Sequence, residues 1–267
     1  MTYKQNKTCC LVLAASFTEV PYSKFKKKPY LLLNAGIKLA LEKISTFYES
    51  QNIEVFVVTD IENIDILDIK AFENCNFIHI KNTSSLFNSL KLGLSELKTF
   101  DNIIINPIQV IPSVKLKLNT ISIGLSLSHK ENWSAVKFNG NNASFLFKDY
   151  HKSEGIFSYP FTGRINCEKE HINKALLYKS YSSSNDLALL AEYLYQNYDY
   201  NFQKEKWLDL THNTLLTKTK IENLSSRNFH GLVYCDKTNS IIKRHTSGGS
   251  FQNIILFYKL MPNNIKR

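Results

Sequence analysis

Eight residues near the start of the chain, Thr8-Cys-Cys-Leu-Val-Leu-Ala-Ala15, set its architecture. They form a nearly continuous apolar run, which is typical of a strand that is buried on both faces. Such strands lie inside parallel sheets that helices cover from both sides. The polar, lysine-rich segment Ser16–Lys28 that follows is predicted to be a loop.

The elements that follow this strand alternate between helix and strand. Apolar residues with helical spacing alternate with short apolar runs that end at polar or proline residues. The predicted helices are Ile37–Ser50 and Leu86–Leu97, and the predicted strands are Ile53–Thr59, Asn76–Ile80 and Asp101–Asn106. This order predicts an α/β fold with a mostly parallel central sheet and helices on both faces.

The second half of the chain predicts shorter strands and two further features. The strands are Asn119–Ser126, Trp133–Phe138, Ala143–Phe147, Gly155–Phe161 and Glu205–Leu210, with a helix over Asn185–Tyr195 capped by Asn185 or Ser184. Near the end, Phe229–Tyr234 and Ser240–Arg244 predict a β-hairpin, and Phe251–Leu260 predicts a helix. We therefore divide the chain into a main domain, residues 1–223, and a C-terminal extension, residues 224–267.

The composition is that of a globular protein with an excess of positive charge. Lys and Arg number 33 and Asp and Glu 23, which gives a net charge of +10. Only four of the basic residues are Arg, so the excess indicates either a lysine-rich surface without a ligand or a preference for anionic ligands. Nucleic acid is disfavoured as a partner, because no pattern of aromatic residues interleaved with Arg is present.

Targeting and redox features favour the cytoplasm. No apolar run approaches the roughly 18 residues of a membrane span, and the polar start does not resemble a signal peptide. The five cysteines contain no Cys-x-x-Cys pair, which disfavours a disulfide framework or a zinc site. The sequence leaves the oligomeric state open, and a homo-oligomer is compatible with it.

Five segments, in order along the chain, resemble motifs of one enzyme family. They are LAASFTEV at Leu13–Val20, PYLLLNAG at Pro29–Gly36, YPFTG at Tyr159–Gly163, Asn185–Asp186 at a helix start, and WLDLTH at Trp207–His212. Together they are similar to the motifs of the sugar-phosphate nucleotidylyltransferases, enzymes with a glycosyltransferase-A-type fold. The resemblance spans about residues 9–220.

The resemblance implies an activity, a metal and a set of site residues. Such an enzyme would transfer a nucleotidyl group from an NTP to a phosphorylated sugar or small alcohol, with Mg²⁺ as cofactor, in capsule or other surface-polysaccharide biosynthesis. Asp209 would bind the Mg²⁺, and the nucleotide would contact Ala14, Ala15, Ser16, Ser84 and Ser85. Lys24 and Lys28 do not match family positions, but they lie in the same loop, where Lys24 would contact the nucleotide and Lys28 would assist catalysis. For the lysines a solvated loop, and for the two serines a helix cap, are the structural alternatives.

Several family positions carry other residues here. Ser16 and Thr18 replace two loop glycines, Val20 replaces an Arg and Tyr30 replaces a Lys. Gln109 stands in the segment where a second metal-binding Asp is expected, and a neutral amide is a poorer Mg²⁺ ligand than a carboxylate. The alternative is therefore a catalytically impaired relative that binds a nucleotide or sugar phosphate, or acts as a partner protein. A glycosyltransferase of related fold is a third and weaker hypothesis, since no Asp-x-Asp follows a central strand.

Two further residues have a role that the resemblance suggests. Arg164 follows Gly163 at a predicted strand end, where contact with an anionic acceptor is one interpretation and a structural role is the other. In the extension, residues 225–230 and the strand with Lys243 resemble the first hairpin of a choline-kinase-like domain, which bacterial capsule proteins fuse behind a nucleotidylyltransferase domain. We expect this hairpin either to pack on the main domain or to begin a kinase-like domain in a longer fusion protein.

Overall fold

A computed structural model gives the fold of this protein. It describes residues 7–15, 17–19, 27–29, 34–35, 38–60, 72–80, 86–125, 134–140, 142–147, 158–177, 186–206, 208–209, 230–235, 240–245 and 253–254. For the short strands 17–19, 27–29, 34–35 and 208–209, and for the strands of the extension, the description covers the backbone only.

Parallel strands form one half of the main sheet. The strands of this half are β1 (Thr8–Leu13), β6 (Glu54–Asp60), β7 (Cys75–Ile80) and β8 (Asn102–Pro107). They lie in the order β8-β1-β6-β7, and every neighbouring pair is parallel. Their carboxyl ends therefore meet at one edge of the sheet, which is where ligands bind in open α/β folds.

Mostly antiparallel strands form the other half. These are β10 (Thr120–Gly124), β11 (Ala135–Asn139), β12 (Asn142–Leu146), β13 (Ser158–Glu168) and β14 (Asn201–Glu205). The long strand β13 joins the two halves, since its end pairs with β8 and its start pairs with β11. Strand β13 also pairs with β10, which in turn pairs with β14 in parallel.

Four helices cover both faces of the described sheet. They are α1 (Ala40–Glu49), α2 (Leu86–Glu96), α3 (Lys169–Ala175) and α4 (Ala188–Asn197). Strand β1 shows how the faces divide: Cys9, Leu11 and Leu13 pack with α2, α3 and α4, whereas Cys10 and Val12 pack with α1. The predicted α/β fold with a largely parallel central sheet and helices on both faces is thus confirmed.

The smaller strands pair outside the main sheet. They are β2 (Phe17–Glu19) with β3 (Lys27–Pro29), β4 (Asn34–Ala35) with β5 (Lys38–Leu39), β9 (Val110–Ile111) with β15 (Leu208–Asp209), and β16 (His230–Cys235), β17 (Ser240–His245) and β18 (Asn253–Ile254) with one another. Among the described residues, no helix is long and apolar enough to cross a membrane.

Several boundaries differ from the sequence predictions. Part of the predicted loop over residues 16–28 forms the β2–β3 hairpin. The C-terminal hairpin is confirmed as β16 and β17, but the prediction of a helix over residues 251–260 is wrong at Asn253–Ile254, which form β18. Helix α4 begins at Ala188, whose N–H donates a hydrogen bond of 2.9 Å to the Asp186 carboxylate, and the predicted cap stays a prediction. Asn185 and Ser184 lie outside the described residues.

Candidate functional site

The carboxyl ends of β1 and β8 meet at the centre of the sheet edge. Leu13 is the register partner of Pro107, and the Ile108 N–H donates to the Leu13 carbonyl over 3.2 Å. Beyond β1, the Ala14 N–H donates to the Val58 carbonyl over 2.9 Å. The chain after β1 and the turn after β8 therefore leave the sheet side by side.

The turn after β8 is held by the β9–β15 ladder. Asp209 is the register partner of Val110, and Leu208 is the partner of Ile111. Asp209 is thus brought to the backbone of residues 106–111 although it lies about a hundred residues further along the chain. The half-buried Gln109 directly precedes Val110. The structure therefore places the backbone of Asp209 beside the segment in which the second metal-binding Asp was expected.

Asn106 fixes the shape of this turn. The residue is fully buried, and its Nδ2 donates to the Pro107 carbonyl over 2.8 Å and to the Val110 carbonyl over 3.0 Å. Its Oδ1 accepts a hydrogen bond of 2.9 Å from the Tyr48 hydroxyl, which comes from α1. Both amide hydrogens of Asn106 form hydrogen bonds with backbone carbonyls of the turn, so this side chain stabilises the conformation of the turn.

A buried ion pair continues this network. Arg164 and Glu205 have no exposed side-chain surface, and the Arg164 guanidinium contacts the Glu205 carboxylate. A second guanidinium nitrogen donates to the Tyr48 hydroxyl over 3.1 Å and to the Val114 carbonyl over 3.2 Å. The carboxylate also accepts a hydrogen bond from the Ser122 hydroxyl. The expectation that Arg164 would meet an anionic acceptor is therefore wrong: a carboxylate of the protein already occupies this guanidinium.

Burial and mutual contact shift the pKa values in this network. Burial raises the pKa of Tyr48 well above its ordinary value, so its hydroxyl stays neutral. Burial alone would lower the pKa of Arg164, but its contacts with Tyr48 and Glu205 outweigh that effect and raise it. Both shifts favour a charged guanidinium and a neutral phenol in this network.

The structure describes only some of the predicted site residues. Lys28 lies in β3 as the register partner of Thr18, so residues 27–29 pair with residues 17–19, which follow the end of β1. Ala14 is buried and Ala15 is half-buried. Ser16, Lys24, Ser84 and Ser85, and the side chains of Lys28 and Asp209, lie outside the described residues, and their roles stay predictions.

Sequence reasoning missed three members of the network: Tyr48, Asn106 and Glu205. One signal was available, since Asn106 is a polar residue inside an otherwise apolar run, and such residues need buried partners. The partners themselves come from distant segments, and Glu205 lies 41 residues from Arg164. No local spacing links them.

Within the described parts of the chain, no three His, Cys, Asp or Glu side chains lie together as a metal cluster. In proteins Mg²⁺ is commonly held by one or two carboxylates together with the substrate's phosphates. Asp209, whose backbone the β9–β15 ladder holds beside the turn after β8, would supply one carboxylate, and the neighbouring Gln109 would supply none.

Solved structures share this fold over most of the chain. A protein from Bacillus anthracis assigned as a glucose-1-phosphate thymidylyltransferase, in complex with sucrose, has 15% identity and a TM-score of 0.64, covering 82% of this chain and 96% of its own. A UDP-glucose pyrophosphorylase complexed with UDP-glucose has 12% identity and a TM-score of 0.64, covering 84% and 100%. This is the nucleotidylyltransferase fold.

A third structure with the nucleotidylyltransferase fold is HddC from Yersinia pseudotuberculosis complexed with GMP-PN. It has 12% identity and a TM-score of 0.59, and the likeness covers 81% of this chain and 99% of that one. No protein-family model and no curated protein sequence matches this chain. The likeness therefore concerns the fold, and the activity has to be argued from the site.

Proposed function

We propose that this protein is a nucleotidylyltransferase, which transfers a nucleotidyl group from an NTP to a phosphorylated sugar or small alcohol and releases pyrophosphate. One observation carries the proposal: the β9–β15 ladder holds Asp209 against the turn that follows β8. That turn lies beside the end of β1, at the edge of the sheet where ligands of open α/β folds bind.

The structures that share the fold support a nucleotide ligand. They were solved with UDP-glucose and with GMP-PN, and a further one is a UTP-bound UGPase from Acinetobacter baumannii. The β2–β3 hairpin adds to this support, because it pairs Lys28 with Thr18 directly after the β1 strand end. Lysine is a competent phosphate partner, so this hairpin is the expected contact for the triphosphate.

Mg²⁺ would neutralise charge on the triphosphate when bound, and Asp209 is the carboxylate proposed to hold it. The rest of the work falls to the chain itself. Lys28 and Lys24 would attract and orient the phosphates, and Ser84 and Ser85 would face the base or ribose. Catalysis of phosphoryl transfer rests mainly on such positioning and charge stabilisation.

The wider setting is also proposed. The product would be an activated unit for capsule or other surface-polysaccharide assembly, made in the cytoplasm, where free cysteines are stable. Cys9, Cys10, Cys75 and Cys167 are free, which agrees with this location. We propose the extension, residues 224–267, as a separate unit, because its described strands pair with one another and not with the main sheet.

One observation favours a second candidate, a relative that binds a nucleotide or sugar phosphate without turning it over. Gln109 occupies the turn next to Asp209, so a second carboxylate is missing from the segment expected to carry it. Loss of one electrostatic contact in the transition state commonly costs about 3 kcal/mol, and this site lacks more than one.

A pyrophosphate-release assay with each NTP, Mg²⁺ and a panel of phosphorylated sugars and alcohols tests the proposal. We expect release by the natural protein and a loss of about a hundredfold or more in Asp209→Asn. The matched control is Asp101→Asn, which makes the same change at the amino end of β8. Equal losses in both variants would contradict the role given to Asp209.

Nucleotide binding, measured by calorimetry, separates the two candidates. Binding that needs Asp209 but gives no pyrophosphate would establish the non-catalytic relative. In that case Gln109→Asp should tighten Mg²⁺-dependent binding, because it supplies a second carboxylate. If the natural protein binds neither an NTP nor a phosphorylated sugar and releases no pyrophosphate, both candidates fail.

A further inference from the structure

We propose that the buried Arg164–Glu205 pair is a positioning device for the Asp209 site, acting through Tyr48 and Asn106. That Asp209 belongs to a functional site rests on the proposed function. How the backbone of residues 106–111 and 208–209 is held does not depend on it.

A continuous series of hydrogen bonds joins the ion pair to the turn after β8. Arg164 donates to the Tyr48 hydroxyl over 3.1 Å, the Tyr48 hydroxyl donates to Asn106 over 2.9 Å, and Asn106 donates to the Val110 carbonyl over 3.0 Å. Val110 is the residue that pairs with Asp209. Every side chain in this path is almost fully buried.

The second end of the path approaches the same ladder from the other side. Glu205 ends β14, and Asp209 lies four residues later in β15. The Glu205 carboxylate contacts Arg164 and Ser122, and it also accepts a hydrogen bond of 3.4 Å from the Ser113 N–H. The network therefore restrains both segments that form the β9–β15 ladder, one through Asn106 and one through Glu205.

Stability alone is a weak reason for such a pair. Taking two charges out of water costs nearly as much as their attraction returns, and well-packed apolar replacements are often equally stable. The guanidinium here does more than balance a charge, since its fork reaches Glu205, Tyr48 and the Val114 carbonyl at once. A planar group with several fixed donors is suited to holding several segments in one arrangement.

Hydrogen–deuterium exchange of the full, ligand-free chain tests the proposal. Tyr48→Phe removes only the hydroxyl that links Arg164 to Asn106. We expect exchange in peptides covering 106–111 and 208–209 to become about tenfold faster, which is the effect of one lost buried hydrogen bond. The matched control is Tyr200→Phe, which removes a buried hydroxyl that contacts His171 at 3.1 Å, outside the network.

A double variant separates positioning from stability. Arg164→Met combined with Glu205→Met removes both charges together, so the unfolding midpoint should stay close to that of the natural protein. Exchange at 106–111 and 208–209 should still rise by about tenfold, because Tyr48 has lost its donor. If the pair contributed to stability alone, a double variant with an unchanged unfolding midpoint would also show unchanged exchange in these two segments.

The outcomes are decisive in each arm. Faster exchange confined to 106–111 and 208–209 in Tyr48→Phe and in the double variant, but not in Tyr200→Phe, supports the proposal. Unchanged exchange, a uniform rise along the whole chain, or the same rise in Tyr200→Phe overturns it. Because these measurements need no ligand, a failure of the natural protein to bind NTP would overturn the proposed function and leave this result unaffected.

Discussion

The Arg164–Glu205 contact shows how much one residue depends on its partner when neither side chain reaches solvent. A buried ion pair adds little net stability while it is complete, but removing one member leaves an uncompensated charge in a low-dielectric interior. The contribution of each residue therefore cannot be assigned separately.

We expect Glu205→Ala to lower the free energy of unfolding by about 3–5 kcal/mol, because Arg164 is then left buried without its counter-charge. Urea denaturation measures the change. The double replacement of Arg164 and Glu205 by Met should lose far less. Equal losses in the single and the double variant would contradict this account.

Cys75 offers a test of burial at a single thiol. Burial raises its pKa from an ordinary 9.0 to about 11, so the thiolate fraction at pH 8 is about a hundredfold smaller than for a free thiol. Alkylation of the native protein, followed residue by residue with mass spectrometry, should show Cys75 labelling still rising tenfold per pH unit between pH 8 and 10. A plateau near pH 9 would contradict the shift.

At the scale of elements, the strand β13 shows why a glycine was misread from the sequence. Gly163 suggested a strand end, yet β13 continues to Glu168. The register between β10 and β13 shifts at this point, which marks a β-bulge, and Gly163 takes a positive φ of 83° within it. The continuation depends on pairing with β8 and β10, which no local pattern contains.

Gly163→Ala should cost about 2–4 kcal/mol, since the backbone is left-handed and the added Cβ would lie 2.7 Å from Pro107 Cγ. Gly140→Ala is the matched control: its φ is +61°, but nothing lies within 4 Å of the added Cβ. This control should cost about 1 kcal/mol. Thermal unfolding of both variants measures the two losses of stability. A smaller loss in Gly163→Ala than in Gly140→Ala would contradict the bulge geometry.

Helix α2 gives a prediction whose sign opposes helix propensity. Alanine is favoured over glycine inside a helix by about 1 kcal/mol. At Gly93, however, the added Cβ would lie 2.7 Å from Val58 Cγ2 and 3.1 Å from Leu11 Cδ2, in the contact between the helix and the sheet. We expect Gly93→Ala to destabilise the protein by about 1–3 kcal/mol in urea denaturation. A gain in stability would show that the sheet moves to accept the methyl group.

Across the whole molecule, the sequence was informative wherever a local period decides the outcome. The continuous apolar run of β1 predicted a strand covered on both faces, and α1, α2 and α4 were predicted from helical spacing. Local sequence patterns did not determine which distant segments pair. The approach of Asp209 to Val110 and the meeting of Arg164 with Glu205 arise from the sheet topology, so only the first could be inferred, by resemblance to a motif.

The proposed division at residue 223 predicts the behaviour of a shortened protein. The described strands of the extension pair only with one another, so residues 1–223 alone should unfold within about 3 °C of the full chain. Differential scanning calorimetry measures both. A drop of 10 °C or more would show that the extension packs on the main domain and stabilises it.

The mutual dependence of Arg164 and Glu205 also limits how this sequence can drift over time. A chain that replaces either residue alone passes through a destabilised intermediate, so we expect selection to remove single substitutions at these positions. Lineages that keep this fold should therefore hold both residues or have exchanged both. An alignment of homologous sequences should show residues 164 and 205 changing together, although they lie 41 residues apart.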